Sequence, residues 1–68
     1  MNTLVTLRGK TYRVYSRTTP EAWRGYKRGK TMERAGVLEQ FWATDAEDSA
    51  KVYVINVMEN GRISIVRW

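Results

Sequence analysis

Cysteine and histidine are both missing from this chain of 68 residues. Their absence removes the thiol nucleophile, the acid–base group most used near neutral pH, and the disulfides or metal sites that strengthen many small domains. No identifiable base lies beside Ser16, Ser49 or Ser64 in the sequence. We therefore expect a protein that is not an enzyme and that binds no cofactor and no metal ion.

Long hydrophobic runs are also missing, since no stretch reaches the roughly 18 apolar residues of a membrane-spanning helix. The first eight residues lack the charged start and the apolar core of a secretory signal. We expect a cytoplasmic protein that does not enter a membrane. Because 68 residues leave room for one small core, the prediction is a single domain over residues 1–68.

Acidic residues are scarce in the first half of the chain. Residues 1–34 hold nine Arg or Lys against two Glu, a net charge of +7, whereas residues 35–68 hold three against five acids, a net charge of −2. The formal charge of the whole chain is +5. A positive field concentrated in one half attracts nucleic acid or an acidic protein surface, so both are candidate partners.

A β-hairpin is the first predicted element. Two β-rich runs, residues 4–8 and 11–17, flank Gly9-Lys10, and glycine in the first central position favours a type II′ turn. This turn pairs Arg8 with Thr11 and Val5 with Val14. Alternation then gives a core face of Val5, Leu7, Tyr12 and Val14, and an exposed face of Thr6, Arg8, Arg13, Tyr15 and Arg17.

The middle of the chain predicts less regular structure. Thr18-Thr19-Pro20-Glu21 is typical of a helix start, but Gly25 and Gly29 weaken the helix and keep it short. Residues 25–36 are polar, basic and interrupted by glycine, which predicts a mobile loop or an extra helical turn. The segment resembles a phosphate-binding loop, but only three residues separate its glycines where that motif needs four. We therefore predict a flexible cationic segment there, without an NTP site.

The second half predicts a strand, a helix and a strand. Residues 37–43 form the first strand, and Thr44 with Glu47 fits a capping box at a helix start. We expect this helix to continue through residues 52–58, with Asn60-Gly61 ending it. A strand over residues 52–58 stays open, because the segment is rich in β-branched residues and Asn-Gly also favours a hairpin turn. Residues 62–68 close the domain as a strand.

Together these elements predict an α+β fold in the order β-β-(short α or loop)-β-α-β. A small twisted antiparallel sheet would pack on one main helix and leave its other face in solvent. The side of the hairpin that carries arginine and tyrosine belongs to this solvent-facing surface.

That exposed hairpin face is the strongest indication of function. Arginine donates paired hydrogen bonds to phosphate or guanine, and tyrosine stacks on an exposed base. The basic segment that follows would clamp phosphates. If about five phosphates are neutralised, the logarithm of the affinity should fall with the logarithm of salt concentration at a slope of about −4 to −5. The predicted nucleic-acid-binding residues are Arg8, Arg13, Tyr15, Arg17, Arg24, Lys27, Arg28, Lys30 and Arg34.

Three tryptophans are many for so small a chain. Trp42 follows Phe41 on a predicted strand, so the two side chains point to opposite faces, and at least one lies near the surface or in a dimer contact. We predict that Tyr26 and Trp42 contact a protein partner. Trp68, at the end of the sequence, is expected to close the edge of the core.

The run from Thr44 to Tyr53, TDAEDSAKVY, resembles the strand-to-helix junction of ethylene-response-factor-type and phage-integrase-arm-type DNA-binding domains. Those domains pack a three-stranded antiparallel sheet on one helix and read the DNA major groove with Arg and aromatic residues of the sheet. The chain departs from that pattern in its basic insertion at residues 18–36 and its last strand. The resemblance implies that the groove is read here by Arg8, Arg13, Tyr15 and Arg17.

Two functions follow as predictions. The first is a small basic nucleic-acid-binding protein with an accessory or regulatory role. The alternative is a phage-type inhibitor that binds and blocks a host complex, for example a defence system, through its basic, Trp-rich surface, because the chain is similar in general character to small accessory proteins of phages and mobile elements. A homodimer is a third interpretation.

Overall fold

In the computed structural model, which describes residues 3–68, the chain forms one antiparallel sheet of five strands whose spatial order is their order in the sequence. The predicted α+β class, with a sheet packed on one main helix, is therefore wrong, and the protein is predominantly β. A short 3-10 turn and one short helix connect the second and third strands. The elements are β1 (Thr3–Leu7), β2 (Lys10–Thr18), the 3-10 turn Glu21–Trp23, α1 (Lys27–Arg34), β3 (Val37–Asp45), β4 (Val52–Met58) and β5 (Ile63–Arg67).

Residues 52–58 form β4, where the main helix was expected. This segment pairs along its length with β3, and its β-branched side chains fit a pleated sheet better than a helix. Thr44 and Asp45, expected at the helix start, instead end β3. The Asp45 carboxylate accepts the backbone N–H of Glu47 at 2.9 Å. Thr44 and Glu47, predicted to form a capping box, thus flank a turn that the Asp45 side chain stabilises.

The helix that does form lies in the segment predicted as a mobile loop or an extra helical turn. In α1 the buried residues are Gly29 and Met32, and the other residues of the helix are exposed. Thr18, expected at a helix start, ends β2, and Pro20 immediately precedes the 3-10 turn. The glycine that was expected to weaken the helix therefore has a packing role that helix propensity does not describe.

The first hairpin turns one residue earlier than predicted. Its two-residue loop is Arg8-Gly9, and both residues have positive φ, 53° and 80°, as a type I′ turn requires. Val5 consequently pairs with Tyr12 rather than with Val14. Since the pairing has moved by an even number of positions, the paired side chains up to Val14 stay on the predicted sides, and the predicted core face of the hairpin is confirmed.

The sheet curls so that its first and last strands approach each other. The Arg8 guanidinium, at the β1–β2 turn, donates a hydrogen bond of 2.6 Å to the carbonyl of Ile63 at the start of β5. Tyr12, Ala43 and Ile55 are buried on the side enclosed by this curl. We call that side the inner face and the opposite side the outer face.

The 3-10 turn and α1 pack on the outer face, over one end of β3. In residues 3–68 no helix has both the length and the apolar character needed to cross a membrane.

Candidate nucleic-acid interface

Hydrogen bonds at two places fix the helical segment to the outer face. Trp23 donates its indole N–H to the Thr18 hydroxyl at 2.8 Å. The Arg28 guanidinium donates to the Gln40 side chain at 2.8 Å, and Gln40 donates to Asn56 at 3.0 Å. The first and last of these bonds are partly buried and the Arg28 bond is exposed; together they hold the helical segment in one orientation, so α1 presents a defined surface to solvent.

Close packing at Gly29 sets the distance between α1 and the preceding turn. A Cβ atom at this position would lie 2.4 Å from the carbonyl oxygen of Trp23, so a larger residue could not fit without movement. The Arg28 guanidinium also lies 4.8 Å from the centre of the Trp23 ring, within the range of a cation–π contact. Arg28, predicted to clamp phosphates, is thus engaged by the protein itself.

Three cations share the solvent side of α1. Lys27, Lys30 and Arg34 have the spacing i, i+3, i+7, which places them within one stripe of a helix, and all three are exposed. Within residues 3–68 none of the three forms an ion pair or a side-chain hydrogen bond. We call these three residues the basic face. Because like charges at this spacing repel, the basic face favours an anionic partner.

Two predicted site residues flank the basic face. Tyr26 immediately precedes α1, exposes 63% of its surface, and packs edge-on against Trp23 with ring centres 5.7 Å apart. Arg24 forms an exposed ion pair of 3.4 Å with Glu21, a kind of contact that contributes little in water. A base could therefore stack on Tyr26 beside the cations of α1.

A second pair of aromatics lies on the outer face beyond α1. The rings of Trp42 and Trp68 meet edge-to-face with centres 4.9 Å apart. Trp68 was expected to close the core, but it is 77% exposed, so that expectation was wrong. Trp42 lies on the opposite face from Phe41, as predicted, because Phe41 and Ile55 are paired neighbours on the inner face.

The predicted arginine–tyrosine face of the hairpin is divided by a β-bulge in β2. Val14 pairs with Ala43 and Ser16 with Trp42, so Tyr15 is an extra residue between them. A bulge changes the side to which later residues point. Arg17 therefore lies on the inner face and bonds to Glu39, while Arg13 stays on the outer face opposite Thr44.

The structure thus separates the four hairpin residues that the sequence placed together. Arg8 lies in the turn and bonds to Ile63, Arg13 is exposed on the outer face, and both Tyr15 and Arg17 line a groove on the inner face. The predicted cationic plate on the hairpin is absent as a single surface. The cations of α1 do lie together. The sequence contains their spacing of i, i+3, i+7, but that spacing indicates one surface only in a helix, and a loop or a single extra turn was expected there.

The inner face holds an open apolar groove of about 510 Å³. Aliphatic residues of β1, β2, β4 and β5, together with Phe41 of β3, form most of its wall, and among residues 3–68 Arg17 is its one charged residue. At the other end of the inner face, the Lys10 ammonium donates to the Tyr53 hydroxyl at 2.9 Å and lies 3.1 Å from the Asp45 carboxylate. This cluster joins β2, β3 and β4.

The Lys10 cluster shifts three ionisations. The pKa of Lys10 is raised by its hydrogen bond to Tyr53 and then by Asp45. The pKa of Asp45 is lowered mainly by the backbone N–H of Glu47 and next by Lys10. The Lys10 hydrogen bond also lowers the pKa of the Tyr53 phenol. The shifts of Lys10 and Asp45 favour their charged forms and stabilise the ion pair between them.

Comparisons with protein-family models, with curated proteins and with solved structures found no match. The segment that carries the resemblance to DNA-binding domains, residues 44–53, connects β3 to β4 as a hairpin, without the helix of that junction. Within residues 3–68 no group of three or more acidic residues is placed to hold a metal ion. The resemblance stays a prediction.

Proposed function

We propose that this protein binds nucleic acid through the basic face of α1, as an accessory or regulatory protein without enzymatic activity. The observation that carries the proposal is the stripe of Lys27, Lys30 and Arg34, exposed on one side of a helix and lacking acidic partners within residues 3–68. Phosphates spaced along a nucleic-acid strand would neutralise the repulsion among these three cations and release counterions. The proposal includes a cytoplasmic location, where such a ligand is found.

Exposed aromatics favour single strands over duplex as the ligand. Tyr26 lies beside the basic face, and Trp68 lies on the same outer face with most of its surface in solvent. Aromatic rings stack on unpaired bases, and each stack contributes roughly 1–3 kcal/mol. Paired bases do not offer this contact, so duplex would use the cations alone. Arg13, exposed on the outer face, extends the positive surface beyond α1.

The test measures, by fluorescence anisotropy, how tightly the protein binds single-stranded DNA and RNA of roughly 12 nucleotides and the matching duplex. With three cations engaged, the slope of log affinity against log salt should be about −2 for a single strand. Trp68→Ala should weaken single-strand binding while changing duplex binding little.

A matched pair of variants locates the contact. Lys30→Gln/Arg34→Gln and Lys51→Gln/Arg62→Gln each remove one Lys and one Arg, all four exposed, so the net charge falls equally. The first pair should weaken binding about tenfold or more and reduce the slope by about 1.4, whereas the second should change neither by much. Equal loss in both pairs would mean that only the total charge matters, and the proposal for α1 would fail.

A protein-binding inhibitor of a host complex is the second candidate. It is favoured by Val66 and Trp68, two exposed apolar side chains of the outer face at the end of the chain, since exposed aromatics are frequent anchors in protein interfaces. This candidate predicts a stoichiometric complex that survives nuclease treatment and is lost in Trp68→Ala. Binding that disappears with nuclease would favour nucleic acid.

A further inference from the structure

The two edges of the sheet are protected to different degrees. In the β4–β5 ladder, Met58 N–H bonds to the Arg62 carbonyl and Trp68 N–H to the Val52 carbonyl. Because bonded positions alternate in an antiparallel pair, Ile63 turns its backbone groups to the free edge. Its carbonyl there accepts the Arg8 guanidinium. The edge of β5 is therefore partly capped, and charged residues lie at both of its ends.

The edge of β1 is less protected within residues 3–68, because no side chain caps its backbone groups and Arg8 at its end is already bonded to Ile63. Its sequence, TLVTL, contains no charge, no proline and no bulge, although natural proteins usually guard a free edge with one of them. Leu7 pairs with Lys10 across a two-residue turn, so Leu7 and Val5 direct their backbone groups to β2. By alternation, Leu4 and Thr6 direct theirs to the free edge.

We propose that a second copy of this chain pairs with this edge, β1 against β1, in antiparallel orientation with Leu4 opposite Thr6 of the second copy. This register is self-complementary, because each Leu4–Thr6 pair exchanges two backbone hydrogen bonds and the twofold axis repeats the exchange. Charge selects the same contact. Two copies of a protein with a net charge of +5 meet most easily along a strand without cations.

The groove on the inner face supports a second copy of the chain as the partner. Thr3, Val5 and Leu7 form the β1 side of the groove, so pairing of two β1 strands joins two grooves and covers apolar surface that is exposed in one copy. The contact is short, since five residues span about 17 Å. We therefore expect a weak dimer with a Kd on the order of 10–100 µM.

Sedimentation of the whole chain without nucleic acid tests the proposal, and its outcome does not depend on the proposed function. Thr6→Lys and Thr11→Lys form a matched pair, because the two hydroxyls bond each other at 3.1 Å and each variant breaks that bond and adds one positive charge. Only Thr6 lies on the edge. Thr6→Lys should raise the dimer Kd about tenfold or more, and Thr11→Lys should leave it nearly unchanged.

Amide hydrogen exchange of the unmodified protein gives a second readout that needs no variant. As the concentration rises through the dimer range, the amides of Leu4 and Thr6 should become protected while those of Ile63 and Ile65 keep their rates. A monomeric mass at every concentration up to roughly 500 µM, or a dimer that Thr11→Lys weakens as much as Thr6→Lys, would overturn the proposal.

Discussion

The inner face of the sheet buries its side chains without a second layer of structure over them, whereas the outer face carries a helix at one end and an exposed tryptophan at the other. Tyr12 and Ile55 are 5% and 2% exposed on the inner face, and Trp68 is 77% exposed on the outer one. Curling of the sheet supplies the burial that a packed helix supplies in most small α+β domains. The main buried cluster and the proposed binding surface thus lie on opposite sides of the sheet, although Met32, Val37 and Val54 are buried outside that cluster.

Ile55→Ala should give the largest effect, because it removes a side chain from the centre of the inner face. We expect a loss of about 3 kcal/mol in the free energy of unfolding, measured by urea denaturation. Val66→Ala, which removes an exposed side chain of the outer face, should cost less than about 1 kcal/mol. Similar costs for the two variants would contradict the assignment of the core to the inner face.

Gly29→Ala should disturb the outer face alone. The added methyl meets the Trp23 carbonyl at 2.4 Å, and relieving such a clash typically costs about 1–3 kcal/mol, against a gain in helix propensity of about 1 kcal/mol. We expect lower thermal stability and weaker nucleic-acid binding. Thr31→Ala, at an exposed position of the same helix, is the control and should change neither by much. Unchanged binding in Gly29→Ala would show that the docking of α1 does not matter.

Acid should lower the stability of the folded protein by protonating Asp45. Its pKa in the folded protein lies below the ordinary value of 3.8, so its contribution to stability is present above that value and is lost as the pH falls through the lowered pKa. Asp45→Asn should therefore reduce the difference in urea midpoint between pH 7 and about pH 3. Glu59→Gln, which removes an exposed carboxylate elsewhere, serves as the control. An unchanged difference in Asp45→Asn would contradict the role of the Lys10 cluster.

Arg24→Gln should give the smallest effect. The Arg24–Glu21 pair is almost fully exposed, with side-chain exposures of 80% and 79%, and such pairs contribute less than about 0.5 kcal/mol. Thermal denaturation should detect almost no change in stability. A larger loss would mean that the 3-10 turn depends on this ion pair rather than on Trp23.

The first hairpin was predictable because its alternation of apolar and polar residues holds for any even shift in pairing. The position of its turn was not, since Gly9 fits the first place of a type II′ turn as well as the second place of a type I′ turn. Arg8 accepts a positive φ that few residues favour, and it gains a hydrogen bond to Ile63. That bond joins residues far apart in sequence, so local sequence patterns cannot predict it.

The missing main helix has a similar origin. Residues 52–58 satisfy both the spacing of one helical face and the composition of a strand, and pairing with β3 and β5 decides between them. Local propensity does not contain that information, because strand pairing depends on distant segments. The helix at residues 27–34 was missed for the opposite reason. Its glycine looked like a helix breaker, and only the contact with the Trp23 carbonyl explains it.

The extra residue in β2 determines which side of the sheet receives a positive charge. If Tyr15 took a regular place in the ladder, strict alternation would return Arg17 to the side of Arg13 and away from its ion-pair partner Glu39. The bulge therefore keeps a positive charge on the side of the apolar groove, and a regular register of the same strand would move that charge to the side of the basic face without altering any residue.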